Sequence, residues 1–149
     1  MIRKSLVFVT LGLFLIALAA HAGSSPQEER HELMEDVRDA AKPVGKMLKG
    51  EMEFDAATAM ASFKTWSHAA EVFGDMFPEG SESGYGTEAK STIWSDREGF
   101  NAALAAYSDA VDAAIAANPQ SLEELKPAAG PVFKQCKACH EDYRVEDEG

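Results

Sequence analysis

Both cysteines of this 149-residue chain lie within four positions of each other near the C-terminal end, and a histidine follows them directly. The stretch KQCKACHEDYR contains Cys136, Cys139 and His140. Thiols and imidazoles are nucleophiles and metal ligands. A Cys-x-x-Cys-His motif can therefore belong to a redox dithiol, to a zinc site or to a covalently attached haem.

The surroundings of the motif separate these three chemistries. A thioredoxin-type dithiol starts a helix beside a sheet, whereas this motif ends a helical segment in a chain without strand patterns. Structural zinc needs four ligands, and the motif offers three. Covalent haem needs two thiols on one helical face and an adjacent imidazole. The sequence predicts one haem c (iron) per chain, attached to Cys136 and Cys139, with His140 as an iron ligand.

Residues 1–22 have the features of a secretory signal peptide. Two basic residues precede an apolar run over residues 6–20, which ends at the small-x-small sequence AHA. The run is shorter than the ~20 residues that span a bilayer. We expect cleavage after Ala22, export to the periplasm, and one mature domain over residues 23–149 without a membrane span.

The charge of the chain limits its partners. It has 14 basic and 25 acidic side chains, and both charged residues of the signal peptide are basic. The mature net charge is therefore −13, which argues against nucleic acid or an anionic membrane as partners. No carboxylate stands out by its spacing as a catalytic acid or base, so we do not expect an enzyme.

Four amphipathic segments predict an all-α fold, an antiparallel four-helix bundle. Gly50 marks the end of the first helix and Asp55 the N-cap of the second. The Asn-Pro pair at 118–119 ends the third, and Ser121 with Glu124 forms a capping box for the fourth. The segments cover about 26–49, the residues after 55, about 95–117, and the residues after 121.

Prolines and one long loop complicate this pattern. Residues 75–92 are rich in glycine, serine and charge and are predicted to form the loop. Pro43 falls inside the first helix, and Pro127 and Pro131 fall early in the fourth. Each removes a backbone donor and should bend its helix. In an alternative interpretation, the first helix ends near Lys42 and a short turn follows.

One face of the fourth helix combines the motif with apolar residues. At about 100° per residue, the motif shares this face with four apolar side chains and a tyrosine. We therefore expect the haem to lie inside the bundle rather than on its surface. The face consists of Leu122, Leu125, Ala129, Val132, Cys136, Cys139, His140 and Tyr143.

The mature chain resembles the class II c-type cytochromes, the cytochrome c′ family, over essentially its whole length. The similarity lies in Arg30 with Met34, in KGEMEFD (49–55), in IWSD (93–96) and in CKACHEDYR (136–144). The resemblance implies a four-helix bundle with its haem attached near the C-terminus. Two positions depart from the family pattern: Pro43 is unexpected, and Phe133 stands where a small residue is usual.

The family divides according to the sixth iron ligand. Cytochromes c′ proper leave the distal side of the iron open and bind NO and CO, whereas a low-spin branch uses a methionine of the first helix. The resemblance places Met34 at that position, 16 residues before Gly50. It implies a low-spin haem with His140 and Met34 as metal ligands. Alternatively, Met34 only fills the core, as most buried methionines do.

The resemblance also implies haem contacts for two arginines. Arg30 lies one turn before Met34, and a buried guanidinium needs an anion such as a haem propionate; the alternative is a surface ion pair. Arg144, four residues after His140, is the second predicted cofactor contact. Of the other histidines, His31 falls off the apolar stripe, and His68 is a second candidate for the sixth ligand.

These features predict a periplasmic one-electron carrier with a His/Met-ligated haem. The alternative function is a high-spin cytochrome c′ that binds NO or CO at an open distal site. The predicted partners are redox proteins and, as in many cytochromes c′, a second copy of the chain. Lys126, Lys134, Lys137 and Arg144 form a basic stripe on the fourth helix, which we expect either to steer an acidic partner or to be a solvated helix edge.

Overall fold

The structure is a computed structural model that describes residues 24–145. The predicted signal peptide lies outside the described residues. The chain forms α1 (Pro26–Lys49), α2 (Ala56–Val72), a 3₁₀ turn (Phe73–Met76), α3 (Thr92–Ser95), α4 (Arg97–Ala117) and α5 (Leu122–Tyr143). α1, α2, α4 and α5 build the predicted four-helix bundle. Between residues 24 and 145 no helix is both long and apolar enough to cross a bilayer.

The helix ends follow the capping residues of the sequence. Gly50 closes α1 in the left-handed region at φ 75°, where glycine has no steric penalty. The Asp55 carboxylate accepts a hydrogen bond from Thr58 N at 2.7 Å at the start of α2. A complete capping box at Ser25 and Glu28 starts α1; its S-x-x-E spacing is present in the sequence but was not among the predicted caps.

Two predicted boundaries are wrong in detail. The predicted third helix begins at Arg97 rather than at about Ser95, because Asp96 leaves the helical region (φ −126°, ψ 62°) and caps α4 through Gly99 N. A Cβ at Gly99 would clash with the Asp96 carboxylate, so a larger residue there would displace the capping side chain. Ser121 caps α5, but the Glu124 carboxylate accepts from Gln120 N instead of closing the box.

Pro43 lies within an unbroken α1, so the alternative that this helix ends near Lys42 is wrong. Val44 and Met47 follow Pro43 and are fully buried. Val37, Ala40 and Ala41 before the proline are half-buried, and this burial along α1 holds the helix together despite the missing backbone donor. Pro127 and Pro131 lie within α5, as predicted.

The apolar interior consists of two clusters. The first, which we call the main core, lies between α1, α2, α4 and α5 and includes Phe63, Trp66, Val111 and Leu125. The second, which we call the end cluster, lies where α4 begins and α5 ends. Its members are Phe77, Ile93 and Phe100, with Phe73, Met76, Ala89, Trp94, Leu104 and Tyr143 packed against them.

Candidate haem-binding site

α5 positions both thiols at the border of the main core. Cys136 and Cys139 are free cysteines, and both are half-buried. Their spacing of three residues places them on one face of the helix. Burial raises the pKa of Cys136, and burial followed by the charges of Cys136 and Asp142 raises the pKa of Cys139 to about 11. A redox dithiol needs the opposite shift, so these thiols are unsuited to that chemistry.

An aromatic wall stands beside the thiols. Phe133 contacts Trp66 edge-on, with ring centroids 5.5 Å apart. Trp66 Nε1 donates to Val37 O at 3.2 Å, and the Tyr107 hydroxyl donates to Trp66 O at 3.3 Å. Burial, followed by the charges of the two cysteines, raises the pKa of Tyr107. Half-buried thiols beside rings and a neutral phenol fit a porphyrin, which is flat and largely apolar.

His140 lies in the last full turn of α5 and is exposed at the edge of this face. Desolvation of the ring lowers its pKa, as does the nearby Arg144, while Glu88 opposes the shift. The imidazole is therefore neutral near pH 7, the form that binds a metal ion.

Met34 lies on α1, one turn after Arg30 and one turn before Val37, and is half-buried. Arg30 is buried, and the half-buried Val37 packs against the main core and accepts the Trp66 hydrogen bond. Met34 therefore lies on the row of α1 whose neighbouring residues, Arg30 and Val37, contact the interior.

The other described methionines are placed elsewhere. Met47 is fully buried, and its Sδ accepts from Asp55 N at 3.3 Å. It lies 13 residues beyond Met34, roughly 20 Å further along α1. Met52 is exposed, Met60 packs against the main core, and Met76 belongs to the end cluster. Unlike the other described methionines, Met34 lies near the N-terminal end of α1.

A chain of ring contacts connects α5 to α1. The centroids of Tyr143 and Phe100 lie 5.3 Å apart, and those of Phe100 and Phe77 lie 4.9 Å apart. The Arg30 guanidinium carbon lies 4.7 Å from the centroid of Phe77. Tyr143 is one turn after His140, and Arg30 is one turn before Met34. The two predicted iron ligands therefore lie at the same end of the bundle.

The Arg30 guanidinium has partners that the sequence did not reveal. Nη1 donates to Met76 O at 2.8 Å and to Ser81 Oγ at 3.0 Å, and Nη2 donates to Ser81 O at 2.8 Å and to Thr87 Oγ1 at 3.2 Å. The alternative of a surface ion pair is wrong, because Arg30 is only 5% exposed. Neutral oxygens solvate its charge, so its burial does not require an anion. A contact with a haem propionate stays a prediction.

Arg144 caps the end of α5 and forms an ion pair with Glu88 through Nε. The hydrogen bond from Arg144 is the main reason that the pKa of Glu88 is lowered, and His31 and His140 contribute through their charges. The predicted cofactor contact of Arg144 is likewise untested. Glu88 was missed because its partner lies 56 residues away in the sequence.

The two other histidines within residues 24–145 lie on outer faces. His31 is exposed on α1, as predicted, and lies close enough to Glu88 to lower that pKa. His68 is exposed on α2, whose buried face is formed by residues such as Phe63 and Trp66. This orientation gives no support to His68 as a candidate for the sixth ligand.

Comparison with known proteins defines the class of the chain. The family model described as Cytochrome C′ matches residues 25–144, so the chain belongs to the cytochrome c′ family. It is a haem protein with one covalently bound haem c. It is 38% identical to a cytochrome c′ of Cereibacter sphaeroides over 112 residues, which cover 69% of this chain and 71% of that relative.

Two further comparisons show a second kind of relative and the common fold. The chain is 32% identical to a cytochrome c-556 of Agrobacterium fabrum, over 79% of this chain and 80% of the relative. Its structure matches that of cytochrome c′ from Rhodopseudomonas palustris with a TM-score of 0.80 and 29% identity, over 85% of this chain and 100% of the other. Relatives named cytochrome c′ and relatives named cytochrome c-556 are therefore both similar to this chain in sequence.

Proposed function

We propose that the protein is a periplasmic one-electron carrier whose haem is attached through Cys136 and Cys139 and ligated by His140 and Met34. The haem supplies the one-electron chemistry. With His140 and Met34 as its protein ligands, the iron would keep a similar coordination in both oxidation states. A methionine–histidine pair also raises the reduction potential. The proposed role is transport of electrons and not catalysis.

The observation that carries this proposal is the position of both ligands at one end of the bundle. His140 lies one turn before Tyr143, Met34 lies one turn after Arg30, and the ring contacts join Tyr143 to Arg30. A thioether is a soft ligand that suits low-spin haem iron. The position of Met34 on α1, in a row with Arg30 and Val37, which contact the interior, supports the proposal.

The protein contributes the surroundings of the site. Phe133 and Trp66 present an apolar wall beside the thiols, and the buried Phe77 and Phe100 close the end of the bundle. Such a wall limits the access of water and, with the axial ligands, tunes the potential. The neutral His140 imidazole is available as a ligand without first losing a proton.

The test is the visible spectrum of the ferric and ferrous protein, recorded for wild type and for Met34→Leu. We expect low-spin bands and a ferric iron–sulfur charge-transfer band in the wild type. Met34→Leu conserves volume, which costs less than ~1.5 kcal/mol in most cores. It should turn the spectrum high-spin, lower the potential and let the ferrous form bind CO.

Met60→Leu is the matched control, because Met60 is half-buried against the main core, away from the end cluster. It should leave the spectrum low-spin. A Met34→Leu protein that stays low-spin and does not bind CO would contradict the assignment of the sixth ligand.

The second candidate is a high-spin protein that binds NO or CO at an open distal side. The relative from Cereibacter sphaeroides favours it, because a cytochrome c′ is 38% identical to this chain. In that case the wild-type spectrum is already high-spin, CO binds without mutation, and Met34→Leu changes little. The same measurements therefore choose between the two functions.

The proposed partners are redox proteins and a second copy of the chain. Analytical ultracentrifugation of the haem-loaded protein tests the homodimer. A single species with the mass of one chain at micromolar concentration would contradict it.

A further inference from the structure

The loop between α2 and α3, residues 77–91, is bound to helices at opposite sides of the haem end. We call residues 77–91 the strap. One side is attached to α1 through Arg30 and Gln27. The other side is attached to the end of α5 around Arg144. The strap therefore joins the helix that carries Met34 to the helix that carries His140.

The attachment to α1 is buried. Ser81 is 3% exposed and Arg30 is 5% exposed, and the guanidinium donates to Ser81 Oγ, Ser81 O and Thr87 Oγ1. Gln27 Nε2 adds a hydrogen bond to Ser83 O at 2.8 Å. Breaking these bonds would leave a buried cation without partners, which is costly. The α1 side of the strap is thus rigidly fixed.

The attachment to α5 is mainly a backbone contact. Lys90 N donates to Tyr143 O at 2.9 Å and Val145 N donates to Glu88 O at 2.7 Å. These bonds frame an antiparallel bridge between Ala89 and Arg144. The Lys90 ammonium also donates to Glu141 O at 2.7 Å. The end of α5 is therefore held by three consecutive strap residues, 88–90.

Direct contacts between α1 and α5 are less extensive than those with their other neighbours, because α1 packs mainly against α2 and α5 packs mainly against α4. The distance between the N-terminal end of α1 and the C-terminal end of α5 therefore depends strongly on the segments that connect them at this end. The strap and the ring contacts of the end cluster both connect them there.

We propose that the strap sets how firmly Met34 is held on the haem iron, with Arg30 as the positioning residue on the α1 side and the Ala89–Arg144 bridge as the attachment on the α5 side. This inference rests on the proposed ligation by Met34. Loosening either side lets α1 move away from α5, and the thioether then yields the sixth position to an external ligand. The strap thereby controls the competition between the internal sulfur and a small gas.

The first variant, Arg30→Lys, keeps the positive charge but loses the guanidinium, whose two terminal nitrogens donate to separate acceptors. We expect a mixed-spin ferric spectrum, a weaker iron–sulfur band, and a CO affinity of the ferrous protein that rises at least about fivefold, the lower end of typical couplings between sites. Arg38→Lys is the control, because Arg38 is exposed on α1 and pairs with Glu35. It should match the wild type.

The second variant, Val145→Pro, acts on the opposite side. It removes the donor to Glu88 O, and the extended backbone of Arg144 (φ −108°, ψ 134°) already suits a residue before proline. Val145 is exposed, so the variant should fold. The CO affinity should again rise, whereas Val145→Ala, which keeps the N–H, should not change it.

The double variant tests whether both sides act through one strap. If both attachments act through the one strap, weakening the second adds little once the first is weakened, so Arg30→Lys with Val145→Pro should raise the CO affinity little beyond the larger single effect. Effects that multiply would overturn the proposal and would indicate separate local causes, such as loss of a propionate contact at Arg30.

Amide hydrogen exchange of the ferrous protein gives a readout that does not depend on the sixth ligand. Arg30→Lys should accelerate exchange of the Lys90 and Val145 amides, at the far side of the strap, and Arg38→Lys should not. Unchanged exchange would overturn the proposal. If the wild type is high-spin, the proposed function fails, while this exchange experiment still decides whether the strap couples α1 to α5.

Discussion

Two thiols within one turn of α5 make the clearest prediction at the scale of the residue. If Cys136 and Cys139 form thioether bonds, haem should remain with the polypeptide under acidic solvent extraction, and the mass of the chain should include it. Replacing both cysteines with alanine should release it. Cys136→Ala alone is the control, because one thioether should retain the haem. Free extraction from the wild type would contradict the attachment site.

Glu88 gives a prediction for the pH dependence of the strap. Arg144 holds the pKa of this carboxyl below its usual value of 4.5. A lowered folded-state pKa stabilises the protein above the unfolded-state pKa, and this contribution disappears as the pH falls through the folded-state value. Glu88→Gln should therefore destabilise the protein slightly at pH 7 and not at all near pH 2.

Thermal unfolding of both proteins across this pH range measures the effect. Glu88 is exposed, so the difference should be small and should shrink in high salt. A difference that persists at pH 2 would indicate a role for Glu88 other than its charge.

The sequence was informative at the site where chemistry dictates residue types and spacing. Cys136, Cys139 and His140 form a motif of fixed spacing, and α5 presents them as expected. The partners of Arg30 could not be predicted, because two of its four acceptors are backbone carbonyl oxygens, which any residue possesses. The pair of Glu88 and Arg144 joins positions far apart in the sequence, and only the fold brings them together.

At the scale of the element, Pro43 is a defect that α1 tolerates. It leaves the backbone carbonyl of Asp39 without its helical donor. Pro43→Ala should raise the free energy of unfolding by about 1–2 kcal/mol, since alanine restores the bond and the unfolded chain gains some freedom in return. Pro26→Ala is the matched control, because Pro26 opens α1, where no intrahelical bond is missing.

Urea unfolding of the haem-loaded protein measures both variants. An increase for Pro26→Ala as large as that for Pro43→Ala would show that the gain does not come from the restored bond. A loss of stability in Pro43→Ala would mean that the proline packs favourably within the helix.

Helix boundaries were predictable where capping residues mark them, and they were less predictable where tertiary contacts set them. Gly50, Asp55 and the Asn-Pro pair at 118–119 end or begin helices where the sequence indicated. The start of α4 was predicted two residues early, because the break at Asp96 depends on contacts distant in the sequence. There Trp94 Nε1 donates to Pro78 O at 3.1 Å and Trp94 packs on Phe77, so contacts with the strap fix this turn.

At the scale of the whole molecule, a strongly acidic chain carries a few basic residues along α5. Lys137 pairs with Glu141 at 3.5 Å and Arg144 pairs with Glu88, which partly neutralises the predicted basic stripe. Lys126 and Lys134 are exposed. The stripe can still steer an acidic redox partner, because steering depends on the summed field and not on single pairs.

Lys134→Glu with Lys137→Glu should slow electron transfer with an acidic partner at low salt and flatten its dependence on ionic strength. Lys46→Glu with Lys64→Glu is the control, since it makes the same change of charge on α1 and α2. Stopped-flow kinetics over a range of salt concentrations measures both. If both double variants slow electron transfer equally, the effect comes from the net charge of the protein and not from the stripe. If neither changes the rate, the basic residues of α5 are only a solvated helix edge.

The division of the interior into a main core and an end cluster also bears on cooperativity. Protein regions with their own buried contacts can open locally while the remainder stays folded. The end cluster lies beside the predicted iron ligands and contains Trp94, whereas Trp66 is buried in the main core. Mild denaturant should therefore alter the environment of Trp94 before that of Trp66. The haem end of the bundle would then unfold as a separate cooperative unit.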